Sequence, residues 1–201
     1  MATMKLSRSK SSAPTKNALV CEASPEPSAS RARHSALGSK KAETTPALEA
    51  TLIMPEQPET VELELDEMWS FVRCKARKLW IWLAVCKHTR QVVACVIGGR
   101  GIATCKKLWD NVPEAYKQAT AFSDFWEAYQ AVIPDEQHQP VGKDSGLTAH
   151  VERFNNTLRQ RLARFVRKTL SFSKSQHMHL LCLHLFLTRY NLETAAAIRQ
   201  R

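Results

Sequence analysis

Residues 61–72 read VELELDEMWSFV, with Val61, Leu63 and Leu65 alternating against Glu62, Glu64 and Asp66. That period of two is the signature of a β-strand. The basic turn Arg73 to Lys78 leads into LWIWLAVCK (79–87), and QVVACVIGG (91–99) follows the turn-like His88-Thr89-Arg90. Two β-rich runs so separated form a hairpin. Gly98-Gly99-Arg100-Gly101 then breaks the chain. Residues 103–111 (ATCKKLWDN) suit a helix that Pro113 stops, a short strand ends near Asp124, and 125–133 suits a second helix halted by Pro134. Beyond the polar HQPVGKDSG (138–146), a long helix is expected over about 148–170, a break at SFSKS (171–175), and a last helix over about 176–192.

The order is strand, strand, strand, helix, strand, helix, helix, helix. Three meandering strands followed by a helix–strand alternation match a ribonuclease-H-like α/β core, a mixed sheet flanked by helices. In that layout the first and fourth strands are neighbours, which brings Asp66 and Asp124 together at strand ends.

Residues 1–54 have a different texture. Ser, Ala, Pro, Thr and Lys dominate (SSAPTK, ASPEPSASRA, KKAETTP), and no apolar period appears. Such a segment cannot bury enough surface to offset chain entropy, so it is expected to be disordered. The expected organisation is a low-complexity segment (1–54), one ribonuclease-H-like α/β domain (55–195) and a short tail (196–201). The first 21 residues are basic and acid-free, as in an organellar transit peptide, but disorder accounts for them without targeting.

Charge is uneven. The chain carries 29 Lys/Arg and 19 Asp/Glu, and residues 150–201 hold ten of the basic residues but only two acids. A local excess of this kind attracts phosphates. Six scattered cysteines with no CxxC pair give neither a zinc ribbon nor a disulfide framework, which points to a reducing cytoplasm. No apolar run is long enough to span a bilayer, so no membrane partner is expected.

Three acids stand out: Asp66 and Asp124 at the ends of strand-like runs, and Glu152 on the basic helix HVERFNNTLRQRLARFVRKTL (150–170). Carboxylates gathered from strand ends and a helix suit two hard divalent cations, Mg2+ or Mn2+. A pair of such ions about 3.5–4 Å apart serves in-line attack at a phosphodiester. At 100° per residue, Val151, Phe154, Leu158, Leu162, Phe165 and Val166 form one stripe of the helix. Glu152, Asn156, Arg159, Ala163 and Arg167 form its neighbour. Arg159 lies two turns beyond Glu152, placed to hold a DNA end, while Arg161, Arg164 and Lys168 face flanking phosphate. Glu64 shares a strand face with Asp66 and is its closest rival as a ligand. His150-Val151-Glu152 lacks the PCxxC that a zinc deaminase needs, and the glycines at 98–101 lack the phosphate-loop pattern. His177 and His179 suit helix packing better than DNA contact.

The segments LELDEMWSFV, SDFWEAY, HVERFNNTLRQRLARFVRKTLSFSKS and LFLTRYN occur in that order from about 55 to 191. With them the chain resembles the catalytic half of bacterial transposases of the insertion-sequence-1 family, within the DDE superfamily. The resemblance implies a metal-dependent enzyme of DNA recombination and transposition that nicks DNA and transfers strands. It implies Asp66, Asp124 and Glu152 as the metal-binding triad and Arg159 as the basic position seven residues past the glutamate, with Asn155 and Gln160 also matching. It further implies DNA, both element ends and target, as the partner, homo-oligomers assembled on it, and residence at the nucleoid. Family members carry an N-terminal zinc ribbon and helix-turn-helix, whereas residues 1–54 hold one cysteine, Cys21, and no such pattern. An upstream-frame protein could supply that module. The alternative is a truncated DNA-binding remnant or repressor that no longer transposes.

Overall fold

The computed structural model describes residues 45–200. Strands β1 (Glu62–Phe71), β2 (Lys78–Cys86), β3 (Val92–Gly98), β4 (Thr120–Ser123) and β5 (His138–Pro140) form one sheet of order β3-β2-β1-β4-β5. β1, β2 and β3 meander antiparallel, whereas β4 runs parallel to β1 and β5 parallel to β4. The α-helices are α1 (Ile102–Asp110), α2 (Glu127–Gln130), α3 (Ala149–Arg161) and α4 (Gln176–Arg199). This is the ribonuclease-H-like α/β core, with β4 beside β1 as the element order requires.

Helices cover both faces of the sheet. Leu63, Leu65, Trp82 and Ala84 pack with Cys105 and Leu108 of α1, Tyr116 and Tyr129 on one side. Met68, Ile81, Leu83 and Val85 pack with Val151, Phe154 and Leu158 of α3 and Leu183 and Leu187 of α4 on the other. Each Leu, Ile, Val, Met or Phe among them contributes about 1.5–3 kcal/mol of burial. A central strand covered on both faces has no solvent side. Of the even-numbered acids of β1, Glu64 is therefore wholly buried (0% exposed), while Glu62 and Asp66 are half-buried.

Several expected boundaries move. The long helix ends at Arg161, not near 170: Leu162 is extended (φ −116°, ψ 100°) and a single 3-10 turn follows at Ala163–Phe165. Arginines at 161 and 164, then basic residues at 167 and 168, would repel at i,i+3 and i,i+4 spacing in a continuous helix. The break instead lets Phe165 enter the core and stack on His179, 4.4 Å between centroids, and lets Ser173 bridge to Val72 at the end of β1. His179 is wholly buried, bonded to Ser173, and burial pushes its pKa down to about 4, so the packing role fits.

The helix expected over 125–133 shrinks to Glu127–Gln130, because Asp124 accepts the backbone N–H of Trp126 in a side-chain turn (3.0 Å). β5 was unforeseen in its polar sequence. The last helix continues to Arg199, through the supposed tail from 196, since ETAAAIR is a strong helix former helped by the Arg189–Glu193 pair. Among the described residues Cys86, Cys95, Cys105 and Cys182 are free thiols. No helix of the described residues is long and apolar enough to cross a membrane.

Residues 1–44, the greater part of the segment expected to be disordered, lie outside the described residues; residues 45–54 correct it. Leu48 packs on the second core, and Thr51 is buried. The carbonyl of Thr51 accepts the Gln91 amide (2.9 Å), its hydroxyl accepts the Asn191 amide (3.0 Å), and Ile53 N–H donates to Gln91 Oε1 (2.8 Å). Asn191 also exchanges two hydrogen bonds with the backbone of Val92, which gives the closing LFLTRYN block a structural role. A buried amide left unpaired costs about 1–3 kcal/mol. A chain starting at 55 should therefore be about 3 kcal/mol less stable than one starting at 45. Denaturant midpoints check this, and equal midpoints would show that the clasp contributes nothing.

Candidate active site

The register of the parallel pair sets the first two acids side by side. Glu64 pairs with Phe122; two residues further on, Asp66 is inside β1 and Asp124 is the first residue past β4, close enough for its charge to act on Asp66. Each acid is held. Asp66 Oδ2 accepts the amide of Asn155 on α3 (2.6 Å), and Asp124 Oδ1 accepts Trp126 N–H. Burial, then the charges of Glu67 and Asp124, pushes the Asp66 carboxyl up to about 7.

Glu152 lies in the first turn of α3, one turn before Asn155, and its carboxylate accepts the Thr148 hydroxyl (3.2 Å). Arg159, one turn past Asn155, feels the Asp66 charge, while burial and nearby Arg167 pull its pKa down. Asn155 Oδ1 and Arg159 Nε are buried with no hydrogen-bond partner. Unpaired buried polar atoms are rare and mark positions where a ligand group can bind. Among the described residues no three His, Cys, Asp or Glu side chains converge enough to hold a metal as they stand. The donor set nevertheless fits a hard cation: two adjacent carboxylates, one buried and destabilised as an anion, with a third acid on the facing helix.

The rival acids are already engaged. Glu64 accepts the backbone N–H groups of His150 (2.7 Å) and Val151 (3.0 Å) and the His150 ring, so it anchors the N-terminus of α3. Burial pushes its pKa up, and the Val151 N–H, Arg90 and Lys87 pull against that. The local signal was negative: Thr148, at the N-cap, makes no capping bond. A carboxylate 86 residues away supplies it. Glu67 lies on the opposite sheet face, paired with Arg100 (2.7 Å) and Tyr129 (2.9 Å). Arg100 is sandwiched between Trp80 and Trp126, 4.7 and 4.2 Å from the ring centroids, which steadies the loop carrying Asp124.

The expected DNA-contacting residues divide. Asn155 and Arg159 flank Asp66, and Asn156 is exposed one residue on. Arg167 is off the helix, contrary to the expected stripe, yet the chain reversal returns it to Trp69 (5.4 Å to the centroid) and near Arg159. Arg164 sits in the turn beside His179 and Lys168 is exposed beyond it, so neither shares a helix with Glu152. Arg161, the last residue of α3, lines a different concavity with Arg90 and Arg153, two basic residues that sequence reading passed over.

Residues 60–192 match the IS1 transposase family. The chain is 37% identical over 127 residues to the InsB protein of insertion element iso-IS1n of Shigella dysenteriae, covering 63% of this chain and 94% of that protein. It is 38% identical over 116 residues to the InsB protein of insertion element IS1 of Shigella flexneri, covering 58% of this chain and 86% of the relative. An InsB protein of Escherichia coli K12, from IS1 4, is 35% identical over 127 residues, 74% of its length.

Proposed function

The chain belongs to the IS1 transposase family, and from that premise we propose that it cuts and joins DNA strands at a site formed by Asp66, Asp124 and Glu152. The observation that carries this reading is Asp66, in the middle of β1 rather than at its end, within electrostatic reach of Asp124 just past β4 and hydrogen-bonded to the helix that bears Glu152, Asn155 and Arg159. Two Mg2+ or Mn2+ ions bound by these acids supply Lewis acidity and charge neutralisation at the phosphorus centre.

The reaction is two in-line displacements. Water attacks a phosphodiester and the bond to the 3′ oxygen breaks, leaving a 3′-hydroxyl. That hydroxyl attacks a target phosphodiester and expels the target's 3′ oxygen. Every P–O bond broken is replaced by one formed, so no energy-rich cofactor is required. Asn155 orients Asp66 by donating to one of its oxygens. Arg159 offers permanently charged donors to a phosphate oxygen beside the acids. Glu64 fixes the first turn of α3, and with it the backbone that carries Glu152. In this reading several copies assemble on DNA, since joining both ends of an element needs two reacting sites.

The test is incubation of the full chain with supercoiled plasmid and a labelled duplex in Mg2+. Nicking and joining that stop on chelation are expected. DNA bound but neither nicked nor joined, in Mg2+ or in Mn2+, would leave a DNA-binding remnant instead.

Cation binding should also be pH-linked. Asp66 is protonated below about pH 7, so a cation must displace that proton. Affinity for Mn2+ should rise about tenfold per pH unit up to that point and then level off. Calorimetric titration checks it, and an affinity that is flat across this window would remove Asp66 from the ligand set.

A further inference from the structure

Helix α3 borders a second concavity. A groove of about 640 Å³ runs between the β2–β3 turn, α3 and α4, lined by His88, Arg90, His150, Arg153, Thr157 and Arg161. Its floor is aromatic, with the rings of Phe154 and Tyr190 4.8 Å apart. Arg90, Arg153 and Arg161 have no ion-pair partner among the described residues. The one acid in the lining, Glu193, is occupied by Arg189 at 2.6 Å. The groove therefore carries three arginines free of ion pairs among the described residues, with the buried Glu64 carboxylate within electrostatic reach of Arg90 only.

Arg90 adds an independent sign. It holds the turn in the left-handed region, φ 63°, where glycine or asparagine would fit without strain. A strained backbone kept with a long cationic side chain points to a use for that side chain.

The groove is separate from the acids. His150, Arg153, Thr157 and Arg161 recur at three- and four-residue spacing along one flank of α3. Glu152, Asn156 and Arg159 recur along another, about 150° round the axis at 100° per residue. One helix width, about 10 Å, lies between the two flanks, comparable to the span between backbones across a DNA groove.

We propose that the groove formed by the β2–β3 turn, α3 and α4 binds the sugar-phosphate backbone of duplex DNA, a phosphate track apart from the reacting phosphate. Arg90, Arg153 and Arg161 meet phosphate oxygens, and the apolar floor lies against deoxyribose. This rests on the reading that the chain acts on DNA.

The test is fluorescence anisotropy of the full chain with random-sequence duplexes across a salt series, without divalent cation so that no cutting intervenes. Each phosphate contact contributes about 0.9 to the log–log salt slope. The variant Arg90→Gln/Arg153→Gln/Arg161→Gln should lose about 2–3 from the slope and weaken binding at least about tenfold. Arg90→Gly should melt higher than the wild type yet bind DNA more weakly, which separates binding from folding. A duplex too short to bridge both flanks distinguishes the source. A drop from two bound duplexes per chain to one assigns the groove to a second DNA molecule, and a loss confined to long duplexes assigns it to the flank of the same one. Unchanged slope and affinity in the triple variant would overturn the proposal. A wild-type chain that binds no DNA would instead overturn the functional reading beneath it.

Discussion

Asp66→Asn and Asp124→Asn should each reduce metal-dependent strand joining by about three orders of magnitude. Loss of a cation ligand removes several kcal/mol of charge stabilisation, and each 1.36 kcal/mol is about tenfold in rate. Asp66→Asn should leave the protein no less stable, and the sign follows from its pKa. A carboxyl raised from 3.8 to about 7 favours folding fully while protonated and loses that contribution as pH rises through its folded value. Without divalent cation, the Asp66→Asn variant should therefore melt with the wild type near about pH 4 and above it at about pH 8. Lost joining with retained or raised stability assigns the residue to chemistry. Wild-type joining by Asp66→Asn, or a melting point well below wild type at both pH values, would contradict the role given to it.

Glu64→Ala should be the most damaging single change to the fold. It removes the acceptor for two backbone N–H groups at the start of α3 and for the His150 ring, within a site that is 0% exposed. Unsatisfied buried donors cost about 1–3 kcal/mol each, so a loss of about 3–5 kcal/mol is expected. For a domain of this size that is a fall in Tm of about 10 °C. Glu64→Gln keeps the volume and one acceptor oxygen, and should recover about half of the loss. The pair of variants separates Glu64 from the catalytic acids. Glu64→Gln should retain joining activity in proportion to the folded fraction, whereas Asp66→Asn should not. A melting change of less than about 2 °C in Glu64→Ala would show that the helix start does not depend on this carboxylate.

The sheet was legible wherever its signal was local. The alternation at 61–66, the aromatic and aliphatic runs of β2 and β3 and the glycine break at 98–101 each fix an element without reference to the rest of the chain. Gly98 is a case in point, because a Cβ there would sit 2.7 Å from the Thr104 side chain. The neighbouring placement of Asp66 and Asp124 followed from element order alone. What stayed hidden depends on partners far away in sequence. β5 is His-Gln-Pro, three residues that become a strand only because the edge of β4 is open to them. The end of α3 at Arg161 reflects competition between helical propensity, basic repulsion and the burial of Phe165. The role of Glu64 required knowing which helix would end above it. Thr51 and Leu48, in sequence with no apolar period, gain their burial from Gln91 and Asn191 and from the second core. The arginine groove escaped notice because Arg90 lies more than sixty residues from Arg153.

Substitution of Fe2+ for Mg2+ tests most directly whether Asp66, Asp124 and Glu152 form one cation site. With ascorbate and peroxide, bound iron generates hydroxyl radicals that cut the backbone beside its ligands. Cuts should cluster around residues 66, 124 and 152, diminish together when Mg2+ competes, and disappear together in Asp66→Asn. Cuts at Asp110, Asp135 or Asp144 in their place, or cuts near 66 and 124 that never include 152, would contradict a three-acid site.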